Sequence, residues 1–119
     1  MPRSQAVASG TTRDPLMLQV KEVTIGEGRT KDIRWADSFV FYGNLRVLWS
    51  IERWRTFRLE ETINYEVETR YDEGITVGCR IRFEEDGRNR YFSIEAIIDE
   101  NLRHRKMILG LVEKADKNT

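Results

Sequence analysis

Very few residues in this 119-residue chain have the type and spacing that chemistry needs. There is one histidine, His104, set in "LRHRKM" between Arg103 and Arg105. A metal site wants several His, Cys or carboxylate ligands converging, and a lone His flanked by two cations is a poor ligand, so His104 reads as a surface residue in a turn. The one cysteine, Cys79, has no partner for an internal disulfide and no His beside it in sequence to activate it. It lies in an alternating run and reads as a small buried hydrophobe. The carboxylate pairs Glu60-Glu61 and Glu84-Glu85 border loops and strands and read as solubility charges. "GEG" at 26–28 leads into neither a helix nor a Lys-Ser/Thr pair, so it is no phosphate cradle. The expectation is a chain with no catalytic residues, no metal and no cofactor, and not an enzyme.

Arginines and aromatic rings remain. Arg53, Arg55 and Arg58 fall within six residues and interleave with Trp54 and Phe57; "RNRYF" at 88–92 has a similar texture. Rings alternating with guanidinium groups suit single-stranded nucleic acid, which stacks its bases on aromatic faces. Against that stands the charge balance: 20 basic and 20 acidic side chains, for a net charge of zero. The charge is unevenly placed, with a balance of +4 over residues 1–58 and −4 over residues 59–119. A monomer with opposed halves can stack head to tail. No apolar run approaches the roughly 20 residues of a membrane span. The opening residues lack the apolar core of a signal peptide, and the expected compartment is a reducing cytosol.

The elements that must carry these residues are strands. Residues 1–15 are small, polar and punctuated by Gly and Pro, and read as a flexible arm. Leu16, Leu18 and Val20 alternate; the phase then slips to Val23 and Ile25, which predicts a bulge or bend near Glu22. Residues 33–44 carry four aromatics, Trp35, Phe39, Phe41 and Tyr42, with strand and helical turn both open. Segment 26–44 is expected to be ordered only on assembly, with those rings as an interaction patch. Residues 45–52 alternate, placing Leu45, Val47, Trp49 and Ile51 on one face. Residues 53–61 break the period, and Trp54 and Phe57, three apart, allow one helical turn.

The clearest strand is 62–71, with Ile63, Tyr65 and Val67 on one face. Cys79, Ile81 and Phe83 alternate next, and Asp86-Gly87 is a two-residue hairpin signal. Phe92, Ile94, Ala96 and Ile98 point inward from the following strand, and Met107, Leu109 and Leu111 from the last. The predicted core is Trp49, Ile63, Tyr65, Val67, Ile81, Phe83, Phe92, Ile94 and Leu109. The fold is expected to be all-β and mainly antiparallel: one small barrel or sandwich of about six strands over 16–114, with long projecting loops, at most one short helix and a tail at 115–119. The last three strands form a meander.

The C-terminal part, "ETRYDEGITVGCRIRFEEDGRNRYFSIEAIIDENLRHRKMILGLVEK", together with "VLWSIE" at 47–52, resembles the head–tail joining proteins of tailed phages, the head-completion or stopper family. That pattern has an Arg-Tyr strand, a Gly-Ile turn, a strand with an Arg and a later Gly-Arg, an aromatic strand, and a final aliphatic strand ending in Glu. The segment between the Trp strand and the Arg-Tyr strand is shorter here than in the family.

The resemblance implies a structural virion protein. It would form a homo-oligomeric ring at the neck, between portal or adaptor and tail, assembled in the host cytoplasm. The ring would close the DNA-filled head and give the tail, with its terminator, a docking surface. The implied partners are further copies of the chain, portal or adaptor proteins, the tail terminator and packaged double-stranded DNA, with no membrane. A tail terminator or other tail-tube-end ring is the nearest alternative, and the single-stranded nucleic-acid module is the other. In this setting 53–61 is expected to project from the barrel, with Arg53, Arg55 and Arg58 toward the DNA channel. Trp35, Phe39, Phe41, Tyr42, Trp54 and Phe57 are expected at subunit or partner contacts.

Overall fold

The period-two runs of the sequence close into a barrel. The computed structural model describes residues 13–26, 28, 31–48, 52–57, 62–99 and 104–115. These form β1 (Asp14–Ile25), β2 (Lys31–Val47), a 3-10 helix (Glu52–Phe57), β3 (Tyr65–Arg70), β4 (Arg80–Glu85), β5 (Arg88–Asp99) and β6 (Lys106–Lys114). The order around the sheet is β1-β2-β3-β6-β5-β4, every pairing is antiparallel, and β4 returns to β1. Closure satisfies the strand edges that an open sheet would leave unpaired. The seam is short: only Met17, Leu18 and Gln19 pair across it, with Arg82, Ile81 and Arg80.

The interior holds Leu16, Leu18, Phe41, Val67, Ile81, Phe92, Ile94, Leu109 and Leu111, with Tyr65, Phe83 and Phe39 packed against them. Cys79 is buried at the edge of this cluster. The Asp86-Gly87 turn adopts positive φ at both residues (53° and 79°), as a two-residue hairpin requires. His104 is exposed in the β5–β6 connection, its Nδ1 2.7 Å from Asp99 Oδ2 and its ring against Tyr71.

Several elements differ from the pattern read in the sequence. Residues 33–44, left open between strand and helical turn, join the start of 45–52 in one 17-residue strand, β2, which pairs with β1 from Lys31 to Gly43. The irregularity in the first ribbon lies not near Glu22 but between Leu18 and Gln19, opposite Ser38, the extra residue on β2. β1 begins at Asp14, two residues before the expected start of the domain. A second irregularity skips Glu95, because Ile94 pairs with Leu111 and Ala96 with Gly110. It reverses the inside–outside phase of β5, so Ile97 packs on the interior while Ala96 and Ile98 face outward.

Those outward residues belong to a second apolar cluster on the outside of the barrel: Trp54, Ile63, Ala96, Ile108 and Val112. The 3-10 helix lies over it. Ile63 is therefore buried, but beneath this helix and not in the barrel interior with Tyr65 and Val67. The core assignment of Trp49 lies outside the described residues.

Candidate assembly surface

β1 and β2 pair from Asp14↔Gly43 to Ile25↔Lys31, yet β4 covers β1 only as far as Gln19. Beyond Gln19 the two strands continue as a free two-stranded ribbon. Its base is held firmly. Arg80, buried, donates from Nε to Gln19 Oε1 at 2.8 Å. Gln19 Nε2 donates to Asp37 Oδ1 at 2.8 Å, and Arg82 pairs with the same carboxylate. The Arg80 guanidinium lies between the rings of Trp35 and Tyr91, 4.7 and 4.3 Å from their centroids, a favourable cation–π arrangement. Trp35 is thus half-buried at the foot of the ribbon, with its indole N–H unpaired among the described residues.

The faces of the ribbon exchange character as it leaves the barrel. Inside, the inward face carries Leu16, Leu18 and Val20; past Val20 the same face carries Glu22 and Thr24, opposite Arg34 and Asp32. The outward face carries Lys21↔Trp35, Val23↔Ile33 and Ile25↔Lys31. Val23 and Ile25 are 51% and 70% exposed. The slip from Val20 to Val23 in the sequence marks this exchange of faces. A two-stranded ribbon alone is marginal in water, and this one displays its apolar side to solvent.

The predicted interface rings divide. Tyr42 is exposed on the barrel wall, close to Val40, which is also exposed. Phe57 is partly exposed. Phe41 is a core residue and Phe39 packs on the core, because both lie opposite inward residues of β1, Leu16 and Leu18. Trp54 is buried, its ring over the β6 backbone at Gly110, where an added Cβ would meet Trp54 ring carbons at 3.0 Å.

Of the arginines expected toward the channel, Arg53 and Arg55 lie on the 3-10 helix. The 3-10 helix does not project; Trp54 ties it to the barrel wall. Trp54 Nε1 donates to Glu66 Oε2 at 3.1 Å, and Arg46 donates to Glu66 Oε1 at 2.9 Å. Arg53 Nη1 lies 3.6 Å from the same carboxylate and is engaged there. Arg55 is exposed, and Arg58, like the Glu60-Glu61 pair, lies outside the described residues. With Trp54 and Phe92 both buried, neither arginine–aromatic stretch offers the row of open rings that single-stranded bases stack on.

Sequence reading missed one polar centre, at the barrel mouth formed by the β4–β5 turn. Arg90 donates from Nε and Nη2 to the two carboxylate oxygens of Glu113, each at 2.9 Å, and from Nη2 to Tyr65 Oη at 3.1 Å. Its Nη1 reaches Glu85 at 3.1 Å, and the guanidinium lies over the Tyr65 and Phe92 rings. A bidentate pair of this kind closes the mouth over the core. The bond from Arg90 holds Glu113 below its ordinary 4.5, and the bond from Lys106 does the same for Glu68.

A depressed folded-state pKa stabilises fully above the unfolded value and is lost as pH falls through the folded one. Acid should therefore destabilise the barrel below pH 4.5 through both groups. Both pairs are part-exposed, so Glu113→Gln should cost at most about 1 kcal/mol at pH 7 and lessen the acid loss, as read from urea melts at neutral and acid pH.

Among the described residues no group of three or more His, Cys, Asp or Glu is placed to hold a metal ion, and no helix is long and apolar enough to cross a membrane. No protein-family model matches the chain, and no curated protein matches it. Among solved structures, the solution structure of protein SF1141 from Shigella flexneri 2a is similar over 91% of this chain and 97% of its own, with a TM-score of 0.68 and 21% identity. At that identity the likeness is one of fold alone.

Proposed function

We propose that this chain is a ring-forming structural protein of the virion neck, a head–tail joining component, whose subunits meet through the β1–β2 ribbon. One observation carries the reading: the ribbon's apolar face, with Val23, Ile25 and Ile33, points away from its own barrel. Such a face is stable in water when a second molecule covers it. A second copy of the chain is the fitting occupant. Lys21 and Lys31 flank the apolar residues, and the exposed β4–β5 end offers Glu84 and Asp86 as acidic counterparts. A ribbon seated on a different surface of the next copy is a heterologous contact, the kind that closes into rings. The sequence resemblance to head–tail joining proteins supplies the place in the virion.

The test is the oligomeric state of purified protein by light scattering and electron microscopy. Wild type should form rings. Val23→Glu with Ile25→Glu should remain monomeric and melt at the wild-type temperature, since neither side chain touches the core. A wild-type chain that stays monomeric, alone and with DNA-filled heads, refutes the reading. In infected cells, loss of the protein should leave tail-less heads that leak DNA beside normal free tails. Over-long tails beside intact filled heads would instead indicate a tail terminator.

A further inference from the structure

We infer that a cationic groove on the outer barrel wall, at the ends of β1, β3 and β6, is a docking site for the phosphate backbone of duplex nucleic acid. The groove encloses about 350 Å³ and is lined by Arg13, Asn44, Glu68, Arg70, Arg105 and Lys106, with Thr69 at its floor. Topology brings these residues together. Arg13 directly precedes β1, Asn44 lies beside Glu68 on β2, and Arg70 ends β3 opposite Lys106, which opens β6. Arg105 is the preceding residue. Four cations therefore meet one carboxylate in a protein whose net charge is zero.

That carboxylate is already neutralised. Glu68 accepts Lys106 Nζ at 2.8 Å and lies 3.6 Å from Arg46. Arg13, Arg70 and Arg105 are exposed and have no carboxylate partner among the described residues. Elsewhere on the barrel Arg46, Arg53, Arg82 and Arg90 pair with acids, while Arg55 and Arg88 are exposed singly; only in the groove do three such arginines share one lining. Guanidinium groups left uncompensated in a shared groove match phosphate oxygens in fork geometry. The Asn44 amide stands beside them as a neutral donor.

The lining also selects among anions. It contains no aromatic ring, so it offers no stacking platform for unpaired bases, and its three exposed arginines come from three separate elements, a spread of charge that suits several phosphates better than one small anion. Both features favour the regularly spaced phosphates of a duplex, read without regard to sequence. That the duplex is packaged DNA rests on the neck reading; the phosphate chemistry does not.

The test is fluorescence anisotropy with a short labelled DNA duplex over a salt series. The proteins are wild type, Arg70→Gln with Arg105→Gln, Arg13→Gln, and Arg88→Gln as an exposed arginine outside the groove. Each phosphate contact contributes about −0.9 to the slope of log K against log salt. The double variant should make the slope shallower by about 2 and Arg13→Gln by about 1, while Arg88→Gln leaves it unchanged. Wild type should prefer duplex over a single strand of the same length, and millimolar inorganic phosphate should not displace the duplex. No duplex binding by wild type at low salt, an unchanged slope in the double variant, or a preference for single strands overturns the inference. Melting curves confirm that the variants fold; the substituted side chains are exposed.

Oligomeric state measured on the same samples separates the two readings. Rings with an unaltered slope in the double variant remove the groove and leave the neck role. A groove-dependent slope in a permanently monomeric protein removes the neck role and leaves the groove.

Discussion

Trp54→Ala should cost about 3–5 kcal/mol, one of the largest single losses available in this chain. Trp54 is buried on the outside of the barrel, and its ring is the lid of the second apolar cluster, over Ile63, Ala96, Ile108 and Val112. Truncation removes the transfer free energy of the indole and leaves a depression that water enters. It also takes away the N–H that bonds Glu66. Glu66 keeps Arg46 and Arg53, so its charge stays compensated, and most of the loss is apolar. Glu66→Gln, by comparison, retains an acceptor for Trp54 and should cost about 1–2 kcal/mol. Urea melts of the two variants against wild type give the ranking. Equal losses would mean that the carboxylate, and not the ring, holds the 3-10 helix in place. The helix spans only six residues and has no independent stability, so its release should appear as faster proteolysis near Phe57 before the barrel melts.

Gly110→Val is the second large effect, about 3 kcal/mol or somewhat more, from overpacking. A Cβ at Gly110 would come 2.5 Å from Ile63 Cδ1 and 3.0 Å from two ring carbons of Trp54. Ile63 can turn its terminal methyl aside, but the indole is rigid and buried. β6 pairs on both sides, with β3 and β5, so its backbone has no freedom to retreat. The two predictions are coupled. Removing the Trp54 ring vacates part of the space that the introduced valine side chain needs, so the double variant should lose less than the two single losses combined, by about 1 kcal/mol or more. Strict additivity would show that Ile63 alone sets the limit at Gly110.

The same position shows where sequence reading stopped. "KMILGLVE" was legible as a strand because Met107, Leu109 and Leu111 alternate. Ile108 and Val112, on the opposite face, are apolar too, and a continuous apolar run signals a strand covered on both faces. One-face alternation does not use that signal, which with the Ile97-Ile98 pair on β5 is the local trace of the second layer. Its owner could not be named, because Trp54 lies 56 positions from Gly110 and nothing in its neighbourhood specifies that contact. The engagement of Arg53 with Glu66 was hidden for the same reason. Glu66 looked like one of an outward row of charges in "NYEVETR", and only the return of the 3-10 helix over β3 and β6 turns it into a buried acceptor.

Local chemistry by itself determined the all-β class, the number of strands, the Asp86-Gly87 hairpin and most of the barrel interior. Period-two alternation and positive φ at a tight turn are properties of neighbouring residues. It also recorded the slip between Val20 and Val23, although not its meaning. Only the tertiary structure decided that the slip is an exchange of faces. Burial depends on where β4 stops covering β1, at Gln19, which is set by pairing between residues more than sixty positions apart. The same non-local closure turned Phe41 into core while leaving Tyr42 on the wall, and it gathered Arg13, Arg70 and Arg105, scattered through the chain, into one groove.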